Sequence, residues 1–513
     1  MKKITMITFL LLALNTIRAN NINLTNLSTT YTPSTGVVTV NFTLAWDNSW
    51  LSMTTNNWDA AWVFFKYKDA GQWMHLDLTG NNITLPTGFD YTLPSDKKGI
   101  FIHRSSTNIG TGNVTLSGCQ IGILPQMGTF DVKAFALEMV YVPTSPFNVG
   151  DNSSTGTYTR GGDSEPYYVT GNGLAKGNTY YYELNTPDNT TTLNPNFPTG
   201  YFSYYIMKYE LSNGGYRDFL NCLTLAQQTF RVDYPITSAV GTKPNASNSV
   251  IAIATPSTSG NPAVFGCDAN NNNTMNEAND GEWTACGGIG IADLYTYLDW
   301  AALRPMTDLE FEKACRGPLT PIAGMYAWGT STTIKTGTIS LLNPNQSGEA
   351  ISTLGNLNVN LDSANLSGIG RPLRNGVFAS SVSSRSSSGA SYYGVMELTG
   401  NLCELVVNAF NTYAVSYNGI NGDGTLGLNG YNTNWPFFHS SVTVGTGSVS
   451  LSQAHYARGG SYFSSSLGGA TLANGYGKVS YMVAPTTSAA TLCPTAGTAY
   501  YYRQPFYGIR GVR

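Results

Sequence analysis

The densest cluster of candidate ligands in this 513-residue chain is CDANNNNTMNEANDGEWTAC (267–286). Asp268, Asn270 and Asn272 stand at alternate positions, and Thr274 and Asn276 continue the pattern. Oxygens at alternate positions of a loop wrap one calcium ion in EF-hand-like sites. Two departures matter. Asn273 stands where such a loop turns on glycine, and the closing carboxylate position is Asn279, with Asp280 one residue later. With so few carboxylates facing it, the ion would be held weakly. The same residues can form a run of Asx-turns, in which each side-chain oxygen accepts a backbone N–H two residues on. Both readings stand: a calcium site at Asp268, Asn270, Asn272, Thr274 and Asp280, or a plain Asn-rich loop. Cys267 and Cys286 flank the loop and could staple it, a bridge worth roughly 3 kcal/mol if unstrained. Seven cysteines leave at least one unpaired within a monomer. The histidines, His75, His103, His439 and His455, form no clustered pair.

Elements that could position these groups follow from periodicity. VVTVNFTLAW (37–46) and WVFFKY (62–67) are β-branched and aromatic with partial alternation, the mark of strands. TGNN (79–82) and GTGN (110–113) supply turns. Residues 20–133 are therefore expected to form an all-β, sandwich-like domain without a chemical motif. Trp46, Trp50, Trp58, Trp62 and Trp73 are assigned to its core rather than to a carbohydrate platform. LEMVYVPTSPFNVGD (137–151) opens a second region, 134–513, in which the Gly/Asn/Thr-rich stretch 152–200 reads as a surface insertion. Three helices are expected there. One covers about Asn213–Leu223, with Ser212 as N-cap. The next covers about Ile291–Ala302, where Ile291, Leu294, Tyr295 and Leu298 form one stripe. The last lies in RPMTDLEFEKACRG (304–317), where Thr307 and Glu310 form a capping box, which gives Glu310 a structural role.

Composition narrows the function classes. Lys2 and Lys3, an apolar run from Ile4 to Leu14 and a polar stretch to Ala19 have the order of a secretory signal peptide, 1–19. No apolar segment is long enough to span a bilayer. Charged residues are only 11 % of the chain and the net charge is −3, with no basic stripe, so nucleic acid is not an expected partner. The reading is a secreted or cell-surface protein.

Six segments, in order, resemble the formylglycine-generating-enzyme (sulfatase-modifying-factor) family. They are MVYVPTSPFNVGD, YYIMKYELSNGGYRDFL (204–220), RPMTDLEFEKACRG with YAWG (326–329), YYGVMELTGNLCEL (392–405), YARGGSYF (456–463) and YGIRGVR (507–513). The resemblance implies an α+β, loop-rich fold of the C-type-lectin type over 134–513. It also implies the family's reaction, the oxidation of a sulfatase cysteine to formylglycine by O₂ at a copper ion held by two cysteines. Soft thiolates suit Cu(I). The positions of that pair fall on Ser464 and Gly469, and no cysteine lies between Cys403 and Cys493. Copper is therefore not expected, and neither is a recruited pair at Cys315 and Cys403. Relatives on this fold make sulfoxides with an iron held by three histidines, which the unclustered histidines here do not offer. The resemblance further implies calcium at the GNxxE element, from the Glu404 carboxylate and the carbonyls of Thr399, Gly400 and Leu402.

The expectation is a pseudoenzyme: a secreted sulfatase-modifying-factor domain used to bind an extracellular ligand, glycan or protein, through 152–200 and the Gly/Ser/Tyr/Asn-rich stretch 411–500. Two alternatives stand beside it. One is a formylglycine-generating oxidase with an atypical site, and the other is an extracellular structural or filament subunit.

Overall fold

The computed structural model describes residues 21–124, 130–151, 159–160, 166–171, 180–181, 194–332, 341–351, 370–380, 383–409, 414–427, 432, 434–436, 455–462, 479 and 503–513. The expected leader, most of 152–200 and of 411–500, Ser464 and Gly469 lie outside the described residues.

Eight strands fill the N-terminal region: β1 (Asn23–Thr32), β2 (Val37–Ser52), β3 (Asn57–Asp69), β4 (Gln72–Leu76), β5 (Phe89–Thr92), β6 (Ile100–Arg104), β7 (Gly110–Ile123) and β8 (Val132–Val142). β2 lies between β1 and β7 in one layer. β3 lies between β8 and the β4 and β6 strands in the other. The two layers join where Leu51 pairs with Trp58 and Ser52 with Asn57. β2 alternates from Val37 to Trp46, where Val38, Val40, Phe42, Leu44 and Trp46 all point inward, and shifts register before Ser49. That period-two pattern is what a half-buried strand requires.

β3 departs from alternation because both of its faces are covered. Ala61, Val63 and Phe65 pack against the β2 layer. Ala60, Trp62 and Phe64 belong to a second, larger core shared with the C-terminal region. β8 divides in the same way, with Ala134 and Ala136 on one face and Phe135 and Leu137 on the other. A strand buried on both faces reads as a continuous apolar run, which explains why WVFFKY alternates only partly.

β8 also crosses the boundary expected at 133/134. Its first edge pairs with β3 from Tyr67↔Val132 to Asp59↔Val140. Its other edge pairs with the strand Tyr204–Met207, which leads on to Gly511–Val512 and Arg304–Pro305. One sheet thus runs from the N-terminal layer into the C-terminal region.

The helices sit on the far side of this sheet. Four of them are α1 (Asn213–Leu220), α2 (Leu225–Thr229), α3 (Ile291–Trp300) and α4 (Asp308–Arg316), and a single turn, Arg385–Ser388, is the fifth among the described residues. Ser212 caps α1 by accepting the Gly215 N–H, as expected. The Thr307–Glu310 capping box of α4 is present on both sides. α3 is buried nearly all round rather than along one stripe. Its Trp300 makes edge contacts with Phe64 at 5.3 Å, Phe135 at 4.8 Å and Phe219 at 5.3 Å, which ties β3, β8 and α1 together. Such pairs add about 0.5–1.5 kcal/mol each beyond the area they bury. No helix among the described residues is long and apolar enough to cross a membrane.

A buried lysine locks the same junction. Lys66 of β3 is 0 % exposed and donates to the carbonyls of Trp300 at 2.7 Å and Gly424 at 2.9 Å. Burial pulls its pKa down to about 7. The folded chain therefore holds less proton on Lys66 than the unfolded chain between about pH 7 and the ordinary 10.5. This group's contribution to stability is full above that window and is lost as pH falls through it. Lys66→Met should lower the unfolding free energy by about 1–3 kcal/mol in urea, because two carbonyls lose their donor. The gap between wild type and variant should widen as pH rises through that window. A gap that stays flat would contradict the buried, proton-shedding lysine.

Candidate functional site: a buried charge network where the six motifs meet

The motif segments converge on a network of carboxylates and guanidinium groups. Arg510, from YGIRGVR, lies at its centre and is 1 % exposed. Its Nε donates to Glu404 Oε1 at 3.0 Å, Nη1 to the Met207 carbonyl at 2.8 Å and Nη2 to the Met396 carbonyl at 2.8 Å. One side chain thus ties three motif segments together, 204–220, 392–405 and 507–513. Glu210, from MKYELSN, accepts the Leu402 N–H at 2.8 Å and an Asn401 amide hydrogen at 2.5 Å, fixing the GNLCE turn. Glu397 Oε1 accepts the Gly376 N–H at 2.7 Å. Burial pushes Glu404 and Glu397 up to about 7, against the pull of Arg510, and moves Glu210 upward too.

A second cluster adjoins it. Arg458, from RGGS, donates to Glu312 Oε1 at 3.0 Å. Glu312 Oε2 accepts from Arg316 Nη1 at 3.2 Å and from the Gly150 N–H at 3.0 Å. Arg304 forks onto both oxygens of Glu310 at 2.9 and 2.6 Å. Glu310 therefore caps its helix and anchors Arg304 at once. Lys313 reaches the carbonyls of Pro143 at 2.7 Å and Tyr201 at 3.0 Å.

Glycine in the RGGS segment has a local cause. Gly459 has φ +81°, and a Cβ there would stand 2.6 Å from Glu404 Oε2 and 2.9 Å from the Leu398 carbonyl. The motif's glycine makes room for the motif's carboxylate.

The residues of the expected GNxxE calcium tetrad make the following contacts. Glu404 faces Arg510, the Thr399 hydroxyl accepts the Ala327 N–H at 3.2 Å, and the Leu402 N–H is committed to Glu210. Gly400 donates its own N–H to the Gly459 carbonyl at 2.8 Å. Glu404 Oε1 is taken by Arg510, whereas Glu404 Oε2 is buried without a hydrogen-bond partner.

The 267–286 loop is closed by Asx-turns. Asn272 N–H donates to Asp268 Oδ1 at 3.1 Å and to Asn270 Oδ1 at 3.0 Å, and Thr274 N–H donates to Asn272 Oδ1 at 2.7 Å. Asp280 Oδ2 accepts the Glu277 N–H at 2.8 Å. Asp268 Oδ2 lies 3.5 Å from Lys243 Nζ. Asp268 and Asp280 are both 0 % exposed, and Asp268 Oδ2 and Asp280 Oδ1 have no hydrogen-bond partner. No group of three His, Cys, Asp or Glu side chains placed to hold a metal occurs among the described residues.

The six described cysteines, Cys119, Cys222, Cys267, Cys286, Cys315 and Cys403, are buried free thiols. The staple expected between Cys267 and Cys286 is not formed. Burial pushes the thiols of Cys315 and Cys403 well above their ordinary range. Neither is a ready thiolate, and the donor set does not fit copper.

Glu210, Glu312, Arg458 and Arg510 escape a search for chemical motifs because none has a ligand-like spacing. Their signal is elsewhere: charges set inside apolar motif segments of a chain poor in charge. Arg510→Met should cost about 3–5 kcal/mol in urea unfolding, since Glu404 and two carbonyls lose their partner in a buried site. Adding Glu404→Leu should recover about 1 kcal/mol or more of that loss. Additive losses would show that the pair is not coupled.

Comparison with known proteins agrees with the motif reading. Residues 138–484 match the family model described as a sulfatase-modifying factor enzyme 1-like domain. Among solved structures, PvdO from Pseudomonas aeruginosa is similar at 14 % identity and a TM-score of 0.30, over 74 % of this chain and 94 % of that one. No curated protein matches the sequence. The chain belongs to the sulfatase-modifying factor enzyme 1-like (formylglycine-generating-enzyme-type) family through its domain at residues 138–484.

Proposed function

We propose that this protein is a secreted, non-catalytic member of its family that uses the scaffold to bind an extracellular ligand. The observation that carries the reading is chemical. The family's copper chemistry needs two neighbouring thiolates, and the sequence offers Ser464 and Gly469 at the corresponding positions, with no cysteine between Cys403 and Cys493. A serine hydroxyl is a hard, protonated donor at neutral pH, and glycine has none. Cys315 and Cys403 are buried among core residues. The network's guanidinium groups are spent on carboxylates and backbone carbonyls, Arg510 and Arg458 on those of other motifs and Arg304 on Glu310 of its own. The leader-like segment 1–19 supports export.

The protein, loaded with Cu(I) under O₂ and given a sulfatase-derived cysteine peptide, should form no formylglycine above a no-protein blank. Mass spectrometry of the peptide reads this directly. Product well above blank would sink the binding reading in favour of the oxidase.

The same reading includes a weak calcium site in the 267–286 loop. Its support is the pair of buried carboxylates Asp268 and Asp280, of which Asp268 Oδ2 (3.5 Å from Lys243 Nζ) and Asp280 Oδ1 accept no hydrogen bond. Millimolar Ca²⁺ should raise the melting temperature, and Asp280→Asn should remove the rise without lowering the calcium-free value. A melting temperature indifferent to Ca²⁺ and to chelator leaves the loop as Asx-turns and nothing more.

A further inference from the structure

A cleft of about 1870 Å³ opens where the N-terminal sheet meets the family domain. Its floor comes from the end of β3, β4 and the start of β8, and its walls from α1, α2 and the segment 255–265. It is larger than the roughly 300–1,000 Å³ of a small-molecule pocket, so its size suits an oligomer.

The lining has a particular chemistry. Trp73 is half-buried at the floor. Lys133 Nζ stands 4.4 Å from its ring centroid and Lys68 Nζ 5.8 Å. Neither lysine has a carboxylate within ion-pair distance among the described residues. The cleft's own carboxylates share one guanidinium. Asp218 lies 2.8 Å from Arg217, and Glu282 also pairs with Arg217, which donates to Asn276 Oδ1 at 2.8 Å as well. Lys133 Nζ also donates to Cys222 Sγ at 3.7 Å and feels the Asp218 carboxylate, while Lys68 and Lys133 both stand beside the indole in no close ion pair among the described residues. Gln72 and Asn261 add amides at the exposed rim.

We propose that this interdomain cleft binds an anionic oligosaccharide, its acid groups received by Lys68 and Lys133 and a sugar ring packed against Trp73. This rests on the binding reading above and names its site and ligand class. An indole with amide and hydroxyl neighbours matches a saccharide's mixture of apolar ring face and polar edge. The ammonium groups add selection for charge. An acidic peptide shares the charge but not the need for an indole.

The test is calorimetric titration of the whole protein with four probes. These are a heparin-derived hexasaccharide (sulfated), a trigalacturonate (carboxylated), maltohexaose (neutral) and a hexaglutamate peptide. One or both charged saccharides should bind and weaken with salt, while maltohexaose and hexaglutamate bind at least about tenfold more weakly. Which of the two binds identifies the acid group. Lys68→Gln with Lys133→Gln should weaken binding about tenfold or more with an unchanged melting temperature. In the unmodified protein, bound saccharide should shield both lysines from acetylation, a readout that requires no variant to fold. Absence of binding by either charged saccharide, equal binding of hexaglutamate, or unshielded lysines would overturn the proposal. Those results would leave the non-catalytic reading standing, since formylglycine formation is measured separately.

Discussion

Strand β8 is the constraint on which the rest of the structure depends. It is hydrogen-bonded along both edges, to β3 and to Tyr204–Met207, and packed on both faces. A strand in that position has no freedom of register. A slip by one residue would exchange Phe135 and Leu137 with Ala134 and Ala136 and put the wrong side chains in both cores. Because β8 is shared, the N-terminal layer cannot be lifted from the family domain without exposing a sheet edge and the aromatic cluster around Trp300. The opening segment of the family domain is thus also the last strand of the region before it.

Around that strand the protein solves a problem of buried charge. It has 27 Lys and Arg and 30 Asp and Glu in 513 residues, yet many of these are inside. A charge withdrawn from water is tolerable only when it is paired and hydrogen-bonded. Arg510, Arg458 and Arg316 each reach a carboxylate or carbonyls from a distant segment, and Arg304 forks onto Glu310 within its own motif. The family's motifs are therefore, in this chain, largely the two halves of such pairs. That separates two properties of the family: the scaffold rests on guanidinium–carboxylate contacts, and the chemistry rests on thiolates.

Much of the fold was legible in the residues. The Ser212 and Thr307 caps, the β2 alternation and the ordered motifs all follow from local rules that tertiary context did not override. What was not legible is non-local. The WVFFKY run does not say that its second face meets α3, because a doubly buried strand and a short buried helix look alike in periodicity. The guanidinium that meets Glu404 Oε1 comes from Arg510, a hundred residues on, a pairing that no local pattern announces. Cys267 and Cys286 flank one loop, yet both stay reduced in the core, which spacing alone could not tell. Trp73 was assigned to the core on general grounds. It lies half-buried at the floor of a cleft because Lys68 and Lys133 come from neighbouring strands.

The most direct test of a family scaffold without the family's metal chemistry is an anaerobic titration of the reduced protein with Cu(I) against a chromophoric chelator. The chelator should keep its copper throughout, with no stoichiometric transfer to the protein. Transfer of one equivalent per chain, abolished by Cys403→Ala or Cys315→Ala, would contradict the central claim and restore a thiolate copper site.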